Sequence, residues 1–313
     1  MNQRPVQCDV AVIGAGPSGL GMAAELRRLG VDRVLVLDRE SQGGGIPRHC
    51  GHPPFGMSEF RRVLAGPAYA RRLVQRAVDL GVDIRLNHSV VRIGSGPELE
   101  VATASGPIRV LARRVVLATG VRETPRAARL VSGGRPLGVT TTGALQSMVY
   151  LKARAPFRRP VIHGSELVAF SALLTCRHLG IRPVAMIEPR PRITGWRAAS
   201  LLPRFLGIEL LAATDIESIH GIDRVSGVSV LALGGERRRI DCDGVVFSGC
   251  FVSESTLPRA GHLVLDAGTG GPRVDQYGRC SDPDYVAIGN MIHPADTAGR
   301  CWREGAGLAA AVA

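Results

Sequence analysis

The chain has 313 residues, enough for two domains of ordinary size, and 45% of them are apolar, so each domain can bury a core of its own. It holds no run of about 18 apolar residues, which excludes a spanning helix, and the polar start from Met1 to Gln7 has no basic-then-apolar leader pattern, so a soluble cytoplasmic protein away from membranes is expected. The formal charge of +12 comes from 38 arginines and Lys152, scattered along the chain without interleaved aromatics; this reads as compositional bias rather than a nucleic-acid surface, with steering of an anionic cofactor or an acidic partner as the lesser alternative.

The first element is a β-branched run, Asp9 to Ile13, that ends in Gly14-Ala15-Gly16-Pro17-Ser18-Gly19. A small-residue helical pattern follows to Leu29, Gly30 closes it, and Val34 to Asp38 read as the next parallel strand, which completes one βαβ unit. Glycines 43 to 45 then open a segment rich in His, Pro and Gly that runs to Met57, before a helix expected through Glu59 to Leu80. Strands are expected near Asp83 to Leu86 and Val90 to Ile93, and an apolar run from Val115 to Ala118 ends at Thr119-Gly120.

The pattern then repeats. A strand over Pro160 to Ile162, a turn at Gly164, a helix over Leu167 to Leu179, Gly180 and a strand from Pro183 to Ile187 lead to Glu188. Gly244 to Phe247 followed by Ser248-Gly249 echoes the run that ends at Gly120, and the part from Gly271 passes through Tyr285 to Asn290 into an alanine-rich helix. The expected fold is therefore α/β with two Rossmann-like dinucleotide-binding domains, the second (126–265) inserted in the first (1–125 and 266–313).

Chemistry is concentrated in the first loop. Gly14 permits the tight turn out of the strand, Gly16 lets the backbone approach a pyrophosphate, and Gly19 allows helix and strand to pack closely. Pro17 and Ser18 open the helix whose free N–H groups meet the phosphates, and Asp38, with Arg39 beside it, stands where a carboxylate binds ribose hydroxyls. In the second unit the corresponding run is Gly164-Ser165-Glu166-Leu167-Val168-Ala169, so a glutamate stands where the backbone must approach a diphosphate. Its bulk and charge argue against NAD(P) binding in the usual manner, although Glu188 could take a ribose; Arg190 and Arg192 blur any choice between NAD and NADP.

His49, Cys50 and His52 lie close together, but the spacing is not that of a zinc site and no partner pair occurs elsewhere, so no metal is expected. The seven cysteines include no C-x-x-C, which argues against dithiol chemistry. Catalytic residues remain undefined; His49 and Cys50 are the nearest acid–base candidates, and each is more commonly a packing or lining residue.

Two further elements resemble those of the FAD-binding two-dinucleotide-domain flavoproteins: Ala118-Thr119-Gly120, and Val286-Ala287-Ile288-Gly289-Asn290, with Asn290 where the family usually carries the Asp that holds the ribityl chain. That resemblance implies FAD in the first domain, held also by Gly44, Gly45, Gly289 and the start of a helix at Thr297 and Ala298. The segment Gly43 to Gly56, with Phe60 to Ala70, Arg122 to Arg126, Gly138 to Gln146, Gly164-Ser165-Glu166 and Ile288 to Met291, is similar to the flavoprotein subunit of hydrogen cyanide synthase and of the heteromeric opine and hydroxyproline dehydrogenases. Its architecture would be that of the small thioredoxin reductases. The resemblance implies an electron-transfer subunit beside a separate amine-oxidising flavoprotein. The sequence holds no four-cysteine cluster for a two-iron, two-sulfur centre, so a separate iron–sulfur protein is expected to take the electrons. A stand-alone NAD(P)H-dependent flavin reductase and a redox-silent nucleotide-binding scaffold are the alternatives.

Overall fold

Four runs that are apolar without alternation become four of the five parallel strands of the first unit, because such strands are covered on both faces. In the computed structural model, which describes residues 4–195 and 201–313, the strands order as Tyr285–Ala287, Arg114–Leu117, Val10–Ile13, Val34–Leu37 and Asp83–Arg85. Side chains alternate across this sheet. Val10, Val12, Val34, Val36 and Val116 join one core with Leu20, Leu26, Tyr69 and Leu73, whereas Ala11, Ile13, Leu35, Leu37 and Val115 join another with Leu99, Val101 and Val110.

Eight α-helices are described: α1 (Pro17–Arg28), α2 (Met57–Phe60), α3 (Gly66–Asp79), α4 (Thr142–Gln146), α5 (Leu167–His178), α6 (Leu201–Phe205), α7 (Thr256–Ala260) and α8 (Ala298–Val312). Helices α1, α3 and α8 cover one face of the first sheet. The other face is covered by a meander, Ser89–Gly94, Glu98–Thr103 and Gly106–Leu111, with Val6–Gln7 added at its edge. Glycine sets the crossing of α1 and α8: a Cβ on Gly305 would lie 2.1 Å from the Ser18 carbonyl oxygen, and one on Gly21 would lie 2.7 Å from that of Trp302.

The second unit repeats this three-layer plan. Its parallel sheet runs Val139–Thr141, Gly244–Phe247, Pro160–His163, Ala185–Ile187 and Glu209–Leu211. Helices α4 and α5 cover one face, and the strands Thr214–His220, Gly227–Ala232 and Arg237–Ile240, with Ser132–Gly133, cover the other. Both first helices end alike, at Leu29-Gly30 and Leu179-Gly180, where the glycines take the left-handed φ of +87° and +67°.

Three sequence expectations change. The helix expected over 59–80 is two helices, because Arg61 turns left-handed at φ +51° and Pro67 starts a new helix. Residues 251–265, expected in the inserted domain, group instead with the first unit, which comprises Met1–Arg48, Pro53–Arg122 and Phe251–Ala313. Leu257 and Leu263 explain why, since they pack into the core of the first unit beside Ile93. Finally, His49–His52 group with Glu123–Cys250 in the second unit, so four residues of the glycine-rich segment belong there.

Candidate functional site

At the C-terminal ends of the first unit's central strands, the backbone closes a glycine loop through three contacts. Gly14 N–H donates to Leu37 O at 2.8 Å, Ala118 N–H donates to Ile13 O at 2.9 Å, and Gly44 N–H donates to Ala15 O at 2.7 Å. Gly14 sits at φ +112°, and a Cβ there would fall 2.4 Å from Ala118 O; a Cβ on Gly19 would fall 2.0 Å from Gly14 O. Gly16 differs from both. A Cβ on it would meet nothing within 4 Å, so the loop is open at this position. The first turn of α1 presents backbone N–H groups that no side chain caps, with Pro17 at its start, which is the donor arrangement an anion needs.

Asp38 ties this loop to the next strand. Its carboxylate accepts Ala15 N–H at 2.7 Å through Oδ2 and Glu40 N–H at 2.8 Å through Oδ1, and carboxylate oxygens retain lone pairs for further donors. Arg39 lies outside, 3.8 Å from Glu40. Gly44 and Gly45, at φ +109° and +64°, support the loop from behind: a Cβ on Gly44 would strike Ala70, and one on Gly45 would lie 2.9 Å from Gly16 Cα. Arg48, which sequence reasoning missed among 38 arginines, is 8% exposed, donates to Gly45 O at 3.3 Å and lies 3.6 Å from Glu40. Only burial singles it out, and burial is not written in its neighbours.

The other predicted residues gather on the same unit. Thr119 donates to Glu254 O at 2.9 Å and to Met291 Sδ at 3.3 Å, and Gly120 takes φ +76° with open space before it. Gly289 seats on Ser18, where a Cβ would come 2.4 Å from Ser18 Oγ, so Ser18 is a small buried spacer. Asn290 spans a loop: its Oδ1 accepts Asp296 N–H at 2.8 Å and its Nδ2 donates to Asp296 O at 3.2 Å, leaving one amide hydrogen for a hydroxyl. Beyond it, Thr297 caps α8 without a side-chain bond and Ala298 begins the helix, so its first N–H groups are free. An open cleft of about 400 Å³ lies beside this turn, lined by Ile292, His293, Pro294, Asp296 and Arg300. These residues fit a dinucleotide: an uncapped helix start, an open glycine and a carboxylate lie at one sheet edge.

The second unit builds the same loop and fills it. Gly164 N–H donates to Ile187 O at 2.8 Å and Ser248 N–H donates to His163 O at 2.9 Å, repeating the first loop bond for bond. Glu188 accepts Arg190 N–H at 2.9 Å as Asp38 accepts Glu40, and its other oxygen accepts the Ser165 hydroxyl. Glu166, however, stands in the place of Gly16. Its carboxylate accepts the Ser248 hydroxyl and lies across both glycines: a Cβ on Gly164 would be 2.8 Å from Oε2, and one on Gly249 would be 2.9 Å from Cδ. A carboxylate thus occupies the phosphate approach.

Cys50 donates to Gln146 Oε1 at 3.5 Å, and burial pushes its thiol up to about 12, so it stays protonated at neutral pH. His52 bonds to the Ser171 hydroxyl, and a Cβ on Gly51 would lie 2.1 Å from the Tyr150 ring. His49 is half-buried in the same segment. His49 to His52 therefore group within the second unit, apart from the rest of the glycine-rich segment. Among the described residues, no group of three His, Cys, Asp or Glu side chains is placed to hold a metal ion, and no helix is long and apolar enough to cross a membrane.

Two parallel sheets, each ending in a glycine loop and each covered by helices and a β layer, define a two-domain dinucleotide-binding α/β fold. The chain matches the pyridine nucleotide-disulphide oxidoreductase family over residues 8–307 and belongs to it. It is 28% identical to a subunit of the opine oxidase of Rhizobium meliloti (strain 1021) over 183 residues, 58% of this chain and 38% of that protein. It is also 28% identical to the ferredoxin–NADP reductase of Gluconobacter oxydans (strain 621H), over 76% of this chain and 71% of that one. The fold is similar to that of T. acidophilum thioredoxin reductase, with a TM-score of 0.79 over 98% of this chain and 97% of the other at 20% identity. The matched region thus spans well under half of the opine oxidase polypeptide, and it spans 19% of the sarcosine oxidase alpha chain from the same Rhizobium.

Proposed function

We propose that this chain is an FAD-dependent oxidoreductase subunit that relays electrons from an amine- or amino-acid-oxidising flavoprotein to a separate iron–sulfur protein. The observation that carries this reading is the difference between Gly16 and Glu166. The first loop is open to a dinucleotide, while the second holds a carboxylate where NAD(P)H would place its diphosphate. A unit so filled is a poor hydride-donor site, so reducing equivalents must reach the flavin from another protein. The likeness to a polypeptide named as part of an opine oxidase supports the same view.

The residues that would hold FAD are those around the first loop. Backbone N–H groups at the start of α1, with Gly14, Gly16 and Gly19 keeping side chains out, take the pyrophosphate; Asp38 takes ribose hydroxyls, and Gly44 and Gly45 brace the loop. Ala118, Thr119 and Gly120 border the seat, Asn290 offers its free amide hydrogen to the ribityl chain, and the α8 N-terminus at Thr297 and Ala298 places positive dipole toward negative charge. Bound FAD supplies acceptance of two electrons and their release one at a time. No side chain is required as acid or base, and the protonated Cys50 thiol is suited to packing.

An anaerobic titration of the flavin-loaded chain with NADH and then NADPH, followed at the visible flavin band, tests this. Flavin that stays oxidised is the expected result. Rapid bleaching would favour a NAD(P)H-dependent flavin reductase, the reading that the likeness to ferredoxin–NADP reductase supports. A chain that binds no flavin would be a nucleotide-binding scaffold.

A further inference from the structure

The arginines are spread along the chain, but five of them fall in one short stretch. Residues 56–76 contain Arg61, Arg62, Arg71, Arg72 and Arg76 against a single acidic residue, Glu59. Glu59 accepts the Tyr69 hydroxyl at 2.5 Å through Oε1, and its Oε2 is buried. Among the described residues, none of the five arginines forms an ion pair with a carboxylate, whereas arginines elsewhere repeatedly do, as in Arg92 with Glu100 and Arg238 with Glu209.

Arg61 and Arg62 follow helix α2, and Arg71, Arg72 and Arg76 lie on helix α3, all within the first unit. The Arg72 guanidinium lies 6.0 Å from the centre of the Phe60 ring, next to Arg61, and Arg76, one helical turn on, lies 5.3 Å from the Trp302 ring. Arg61, Arg62, Arg71 and Arg72 are exposed, and so are Met57 on α2 and Val63 in the turn that follows it, at 58% and 62%. Burial is the main cause holding Arg76 below its ordinary pKa, with Arg28 adding to the shift and Glu25 and Glu59 opposing it. Such a surface of unpaired arginines around exposed apolar side chains is unfavourable alone and favourable against an acidic partner.

The location supplies the identity of that partner. Helix α2 abuts the first turn of α8: a Cβ on Gly299 would lie 3.2 Å from Ser58 Oγ and 3.4 Å from Glu59 Oε1. The arginine surface thus adjoins the helix start assigned above to the flavin. We propose that Arg61, Arg62, Arg71, Arg72 and Arg76, with Met57 and Val63, form the docking surface for a small acidic iron–sulfur electron carrier; this rests on the reading of the chain as an electron-transfer subunit. The carrier's carboxylates meet the arginines, and Met57 and Val63 supply the apolar centre of the contact.

Binding of an oxidised, acidic [2Fe–2S] ferredoxin to the flavin-loaded chain by isothermal titration tests this without turnover. Arg62→Glu/Arg71→Glu, which leaves both stacked arginines in place, is expected to weaken binding by at least about tenfold. Arg72→Ala/Arg76→Ala is expected to weaken it less, and both variants keep their flavin. Arg177→Glu/Arg182→Glu makes the same charge change on exposed residues of the second unit and is expected to alter binding by less than about threefold. Wild-type affinity should also fall between about 20 and about 200 mM salt. Equal weakening by the two charge reversals would overturn the proposal, as would no wild-type binding, or a self-association of the chain that only Arg62→Glu/Arg71→Glu abolishes. The NADH titration separates this from the parent reading: absent docking with a flavin that stays oxidised under NADH sinks the surface alone, and bleaching by NADH sinks the parent reading whatever docks.

Discussion

The chain contains the same loop twice, and the sharpest difference between the copies is Glu166 in the place of Gly16. Around Gly14 and Gly164 the strands, backbone bonds and supporting carboxylates correspond. Gly16 leaves the phosphate approach clear, whereas Glu166 lays a carboxylate across Gly164 and Gly249 and bonds it to Ser248. On the proposed reading, a fold is duplicated and kept for its packing while a single side chain withdraws one copy from ligand binding. The cores support this view, because both units bury the same alternating aliphatic layers whether or not the loop is open.

The strongest way to break the comparison is to give the first loop the residue of the second. Gly16→Glu has room for its Cβ and an extended backbone at φ −83° that any residue adopts, so the unit should fold. Like charge at the diphosphate should then lower FAD affinity by at least about a thousandfold, read as loss of visible absorbance from the purified chain. Unchanged flavin content would show that phosphate does not approach at Gly16. Asp38→Ala comes next. It strands the Ala15 and Glu40 N–H groups and removes the ribose carboxylate, for a loss of about 2 kcal/mol in FAD binding, measured by fluorescence titration.

A smaller effect concerns the second unit as a packed body. Cys50 is raised from 9.0 to about 12 mainly by burial, so the folded state keeps its proton between those values where the unfolded chain has lost it. Its contribution to stability is therefore lost as pH rises from about 9 toward 12. Iodoacetamide at pH 8 should modify the exposed Cys250 and spare Cys50, checked by peptide mass spectrometry. Modification of Cys50 first would restore it as a reactive residue. The smallest change is Thr297→Ala, whose hydroxyl makes no capping bond; its Tm should drop by no more than about 2 °C, since a cap stabilises a helix through that bond.

Much of this was legible because it rests on local chemistry. Buried parallel strands are continuous apolar runs, so Val10 to Ile13, Val34 to Leu37 and Gly244 to Phe247 stand out, and glycine loops declare themselves by spacing. Of the β layers only Val90 to Ile93 was read as a strand, because the others face water on one side; Arg237, Arg238 and Arg239, for instance, pair with Leu231, Val230 and Ser229. Non-local facts were hidden too. Nothing near Arg48 announces its burial, and nothing near Cys50 shows that its partner is Gln146, 96 residues away. Glu166 was visible as an obstacle, but its bond to Ser248 needed the fold.

The most direct measurement is isothermal titration of NADH into the flavin-loaded chain and its Glu166→Gly variant. The expected result is no heat of binding for the wild type up to about 1 mM NADH, and a dissociation constant below about 100 μM once the carboxylate is removed. Micromolar binding by the wild type, or none by the variant, would contradict the claim that Glu166 is what closes the second loop.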